Sequence, residues 1–87
     1  MSVIQNIKNL QNWSTFRIQH REAEDLEIDA ILIPKDVDGH ILSVWVKYHA
    51  SEHFYEVCCV DHATHESKKY SHLSSEQLID TIKNFLK

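Results

Sequence analysis

The chain has 87 residues and a formal net charge of −4; its 43% hydrophobic and 25% charged residues are a globular balance that excludes a disordered tail or linker. That length makes one small domain, residues 1–87, with a thin stability margin, because so short a chain buries only about two-thirds of its unfolded surface. The acidic balance excludes nucleic acid as the default partner, since phosphate binding needs a basic stripe, and no apolar run approaches the ~20 residues of a membrane span.

The start, Met1-Ser2-Val3-Ile4-Gln5-Asn6, lacks a charged segment followed by an apolar core, so no secretory signal is read and a cytoplasmic setting is expected. Val3, Ile4, Ile7 and Leu10 share one face at helical spacing, which predicts a helix over 2–12. Ser2 with Gln5 three residues on forms a capping-box pattern.

From Trp13 the period changes. Phe16 and Ile18 alternate with Thr15, Arg17 and Gln19, a first strand. Arg21 to Asp25 is the expected turn. Leu26, Ile28, Ala30 and Leu32 then alternate with Glu27 and Asp29, a second strand that Pro34 ends. Asp38-Gly39 is a hairpin signal, since glycine accepts the positive φ of tight turns. A turn centred there would set Leu32 beside Trp45. In the third strand Leu42, Val44, Val46 and Tyr48 share one side, with Ser43, Trp45, Lys47 and His49 on the other. Residues 54–61 are the fourth strand. Leu78, Ile79, Ile82, Phe85 and Leu86 make an apolar stripe that predicts a last helix over Leu73 to Lys87, with Ser74 as cap, Gln77 at the third helical position and a Leu73–Leu78 staple.

The expected architecture is therefore α+β, an antiparallel four-stranded sheet with N- and C-terminal helices in the order α-β-β-β-β-α. That order is reminiscent of double-stranded-RNA-binding domains in topology only. Where those domains have a basic start to the last helix, this chain reads Ser74-Ser75-Glu76-Gln77, with Lys68-Lys69 upstream in a loop.

Residues 46–72 hold five of the seven histidines and both cysteines. A hairpin turning at a two-residue bend, Ser51-Glu52, puts Lys47 opposite Glu56 as a charge pair, Val46 opposite Val57, Val44 opposite Cys59 and Tyr48 opposite Tyr55. Cys59 then faces the core and Cys58 the other side, across from Trp45. Adjacent strand cysteines point apart, so both are expected as free thiols in a reducing compartment. The register also spreads the histidines along the hairpin. A metal site, if built, would use His62 and His65 in a loop with His72 or Asp61 as a third ligand. A thiol nucleophile needs a base in contact, and no histidine lies directly across from Cys58. With no glycine-rich phosphate loop and no Gly-x-Ser-x-Gly, neither enzyme chemistry nor a cofactor is read. Protonation of all seven histidines would reverse the sign of the net charge, which makes surface association pH-responsive.

The function expected is that of a small non-enzymatic protein-binding domain, an adaptor, regulator or inhibitor, that meets another protein or a second copy of itself. The surface expected to carry it is the second sheet face, with Trp45, Cys58, Val60, Phe54 and Ile41, rimmed by Glu22, Glu24 and Asp25. One alternative is metal binding or sensing by His62, His65 and His72. Another is an acidic inhibitor that mimics nucleic acid through the stretch Glu22 to Asp29.

Overall fold

Strands 3 and 4 of the expected hairpin register as the charge and apolar patterns require. In the computed structural model, which describes residues 2–20, 25–33 and 40–86, Val44 pairs with Cys59, Val46 with Val57, Lys47 with Glu56 and Tyr48 with Tyr55. The elements run α1 (Val3–Lys8), β1 (Thr15–His20), β2 (Leu26–Leu32), β3 (Leu42–His49), β4 (Phe54–Asp61), β5 (Glu66–Leu73) and α2 (Ser75–Phe85). The fold is α+β, with five antiparallel strands in the order β1-β2-β3-β4-β5. Four strands had been expected; the addition is β5, ESKKYSHL, which contains the Lys68-Lys69 pair read as loop. It pairs with β4 from Glu66 to Leu73. Its side chains carry no apolar alternation and are exposed from Glu66 to His72, so its backbone gains the β4 ladder without burying them.

The helices are shorter than their apolar stripes. α1 ends at Lys8 rather than at residue 12. The Ile7 carbonyl takes a tight bond from Leu10 N–H at 3.1 Å and a second from the Trp13 indole N–H at 2.9 Å, so the chain turns there. α2 starts at Ser75 because Leu73 still belongs to β5. Ser74 caps it with a complete capping box: Ser74 N–H donates to Gln77 Oε1 at 2.9 Å and Gln77 N–H to Ser74 Oγ at 3.2 Å.

Both helices lie on one side of the sheet. Ile7 from α1 and Leu78 and Ile82 from α2 are buried in one cluster with Ile28, Ala30, Val44, Val46, Val57 and Cys59. Those strand residues all project from the same face, two residues apart along each strand. Each fully buried aliphatic side chain contributes about 1.5–3 kcal/mol relative to exposure, offset by the entropy of ordering the chain. Leu73 packs on the edge of the cluster that buries Leu78, its expected staple partner, and Ile79 packs there too. Among the described residues no helix is long and apolar enough to cross a membrane.

The pairing of β2 with β3 corrects one expectation. Leu32 lies opposite Leu42, and Trp45 lies opposite Asp29, so Leu32 does not adjoin the indole. Pro34, Asp38-Gly39 and Arg21 to Glu24, including Glu22 and Glu24, lie outside the described residues, as does Lys87.

Candidate functional site

The sheet face away from the helices is built in rows, one residue from each strand. One row reads Thr15, Ile31, Ser43, Val60, Ser67 and the next Arg17, Asp29, Trp45, Cys58, Lys69. A third begins Gln19, Glu27, Lys47, Glu56. The first two rows enclose a shallow groove of about 290 Å³ lined by Arg17, Asp29, Ile31, Ser43, Trp45, Cys58 and Val60. Trp45, Cys58, Val60 and Ile31 are half-buried although no helix covers them, because neighbouring side chains shade one another. Its floor is apolar and one end carries an Arg–Asp pair, opposite in the β1–β2 register.

Trp45, Cys58 and Val60 thus come together as expected. Ile31, Ser43, Asp29 and Arg17 are further members that the sequence reading left out. Strand alternation alone puts Ile31 on this face; what was missing was the β2–β3 register. Ile41 precedes β3, and its carbonyl accepts His62 N–H at 2.9 Å. Phe54 is not continuous with the patch. The charged residues Lys47 and Glu56, opposite each other in the register, stand between it and Trp45–Cys58. Instead the Phe54 ring is sandwiched by two imidazoles, His49 at 4.4 Å and His72 at 4.3 Å between centroids. Asp25, expected on the acidic rim, is used structurally: its carboxylate accepts Ala50 N–H at 2.9 Å and ties the start of β2 to the β3–β4 turn.

Glu56 is the electrostatic centre of this end. Its oxygens meet Lys69 Nζ at 3.2 Å and His49 Nε2 at 3.2 Å, rather than Lys47, its opposite number in the register. Partial burial pushes its carboxyl up, but the hydrogen bonds and charges of Lys69 and His49 outweigh that and hold it below the ordinary carboxylate range. The sign follows: a lowered folded value stabilises the fold above the ordinary carboxylate range and loses that contribution as pH falls through it.

The histidine-rich stretch has a backbone explanation. The three non-glycine residues with positive φ among the described residues are His53 (56°), His65 (63°) and His72 (58°). His53 closes the four-residue turn Ala50 to His53, where a two-residue bend had been expected, and His65 closes the matching turn His62 to His65. His72 sits where the β4–β5 register shifts between Tyr55 and Val57, a bulge. In a chain with one glycine, histidine fills left-handed positions that it tolerates better than most residues. His65→Gly is therefore expected to raise stability by about 0.5–1 kcal/mol, read as a higher midpoint in urea.

That geometry also places the imidazoles read as metal ligands. His62 Nε2 hydrogen-bonds Ser43 Oγ at 2.8 Å. His65 ends the same turn, but His72 lies at the far end of β5, roughly 20 Å away at strand rise. Asp61 accepts Ala63 N–H at 3.0 Å and sits 3.8 Å from His40. Among the described residues no three His, Cys, Asp or Glu side chains are grouped to hold a metal ion.

The two thiols are free and differ sharply. Burial, with a smaller push from Cys58, raises the Cys59 thiol to about 11. It stays protonated at neutral pH and behaves as a core residue. Cys58 is half-buried between Trp45 and Lys69 in the open face. Iodoacetamide at pH 8 is expected to modify one thiol of the native protein, identified as Cys58 by peptide mass mapping, with Cys59 following only on denaturation. A second concavity, of about 310 Å³, lies between β5 and α2 and is lined by Cys59, Lys68, Tyr70, Thr81, Asn84 and Phe85. It continues past Lys68 and Phe85 toward the carboxylates of Asp61 and Glu66.

No protein-family model, no curated protein and no solved structure matches the chain.

Proposed function

We propose that this chain is a small non-enzymatic binding domain whose open sheet face docks on another protein. The observation that carries the reading is the one-sided placement of the helices: both pack on the Val44–Val57 face, which leaves Trp45, Cys58, Val60 and Ile31 without a covering layer. An antiparallel sheet face left to water alone is normally polar. A tryptophan at the centre of an apolar floor, with charged residues at the end, has the anatomy of a binding hot spot. The expected partner segment offers an apolar side chain to the groove and a charged one to Arg17 or Asp29. Two free thiols suit a reducing, cytoplasmic setting. The non-enzymatic reading is supported by Cys59, whose burial keeps its thiol protonated.

The test is selection of a random peptide library displayed on phage against the folded protein, with Trp45→Glu as counter-target. Peptides that bind the wild type and lose the variant support the reading. No enriched peptide, or peptides that bind both equally, overturns it, and a second copy of the chain on this face would show as a dimer that Trp45→Glu dissociates.

A further inference from the structure

We propose that two copies of this chain pair edge to edge through β1, antiparallel and centred on Ile18, so that the two five-stranded sheets become one of ten strands. The inference rests on the edges of the sheet and is independent of what docks on its open face.

An open sheet has two edge strands whose outward N–H and C=O groups can pair with another chain, and proteins normally blunt them. Here the two edges are treated differently. β5 is blunted twice, by Lys68 and Lys69 at adjacent exposed positions and by the bulge that breaks its ladder at His72. β1 has neither device. It pairs with β2 without a register shift from Thr15 to His20, and no other strand lies beyond it among the described residues. Arg17 to His20 are all exposed, and Ile18 is 41% exposed although its cross-strand neighbour Ile28 is 1% exposed. An exposed, regular edge with an uncovered isoleucine at its middle is the kind of edge that recruits a strand.

The sequence of β1 also selects the partner and the register. Opposed residues in an antiparallel pair share a face, so self-pairing that keeps both helix layers on one side must place like parities opposite. Centred on Arg17, it sets two guanidinium groups against each other. Centred on Gln19, it overlaps only Ile18 to His20 of the strand. Centred on Ile18, it sets Ile18 on Ile18, Arg17 on Gln19 and Phe16 on His20, with no like charges opposed. Pairing β1 with β5 of another copy would face Arg17 toward two lysines across a bulge, and would grow a filament rather than close. The β1 pair closes as a two-fold dimer. The joined sheet spans about 45 Å across its strands at ordinary strand spacing. The contact is smaller than a standard interface of about 1,600 Å², so the dimer is weak and depends on concentration.

Sedimentation equilibrium over a concentration series tests this, with two variants whose folds are checked by circular dichroism. Ile18→Lys sets two ammonium groups opposite each other and is expected to leave a monomer throughout. Gln19→Lys faces Glu27 within its own sheet, which favours the fold, yet faces Arg17 across the two-fold. It is expected to weaken the dimer about 3–10-fold without loss of thermal stability. A wild-type chain that stays monomeric up to about 1 mM, the weakest end of specific affinity, overturns the proposal. So does a dimer that Ile18→Lys leaves intact, and one that only Trp45→Glu dissociates belongs to the open face instead. A dimer lost in Ile18→Lys but unchanged in Gln19→Lys overturns the Ile18 register.

Discussion

Leu78→Ala is expected to lower the melting temperature by more than about 10 °C, the largest effect of any single truncation considered for this chain. Leu78 is fully buried, on the α2 face that meets the sheet. Truncating such a leucine removes its transfer free energy and leaves a cavity, about 2–5 kcal/mol together. The total stability of a domain this size is on the order of 5–10 kcal/mol, so the loss is a large fraction of the whole. The effect is amplified by architecture. With both helices on one face there is a single core, and no second layer compensates when one plug is removed. Thermal melts followed by circular dichroism check the result, with Ile18→Ala as control. Ile18 projects from the same face of the sheet but at its exposed edge. That truncation is expected to cost less than about 1 kcal/mol, and comparable losses for the two would mean that α2 does not seal the sheet as described.

Trp45→Glu is expected to weaken peptides selected on the open face by at least about 30-fold while the fold survives, because truncating a central tryptophan at an interface commonly costs 2 kcal/mol or more. The indole sits between Asp29 and Cys58 in its row, and its side of the sheet carries no helix. A carboxylate there removes the apolar floor and adds a second negative charge beside Asp29. That second charge makes a further variant useful. Trp45→Lys removes the same indole but offers Asp29 a cation, so it separates loss of apolar contact from charge repulsion. Both variants are expected to lose binding, as measured by fluorescence polarisation of labelled peptides. Retained binding in Trp45→Lys would assign the Trp45→Glu effect to charge alone and remove the indole from the proposed contact.

The two results address different faces of one sheet, and the sequence separates those faces unequally. The β3–β4 hairpin is legible without coordinates. Alternation sorts Val44, Val46, Val57 and Cys59 from Trp45 and Cys58, and charge and apolar matching select the register that the structure has. The terminal stripe of α2 and its capping box are equally local. β5 is not legible, since a strand read from side chains needs a buried face, and the β5 side chains are exposed from Glu66 to His72. Phe54 was grouped with Trp45 because parity gives the face but not the distance along it. Lys47 and Glu56 intervene.

What local pattern determined, then, is everything that depends on side chains one to four residues apart: strand parity, helix stripe, cap and the division of the two thiols between faces. Tertiary structure alone decided which side each helix takes. An amphipathic stripe reports that a face must be buried and is silent on which surface buries it. Placing Ile7, Leu78 and Ile82 together over Val44, Val46 and Val57 concentrates the available apolar area in one core, and the same placement leaves Trp45 uncovered. The open face is a consequence of that one packing choice, which no window of the sequence contains, and the open edge follows from the strand order.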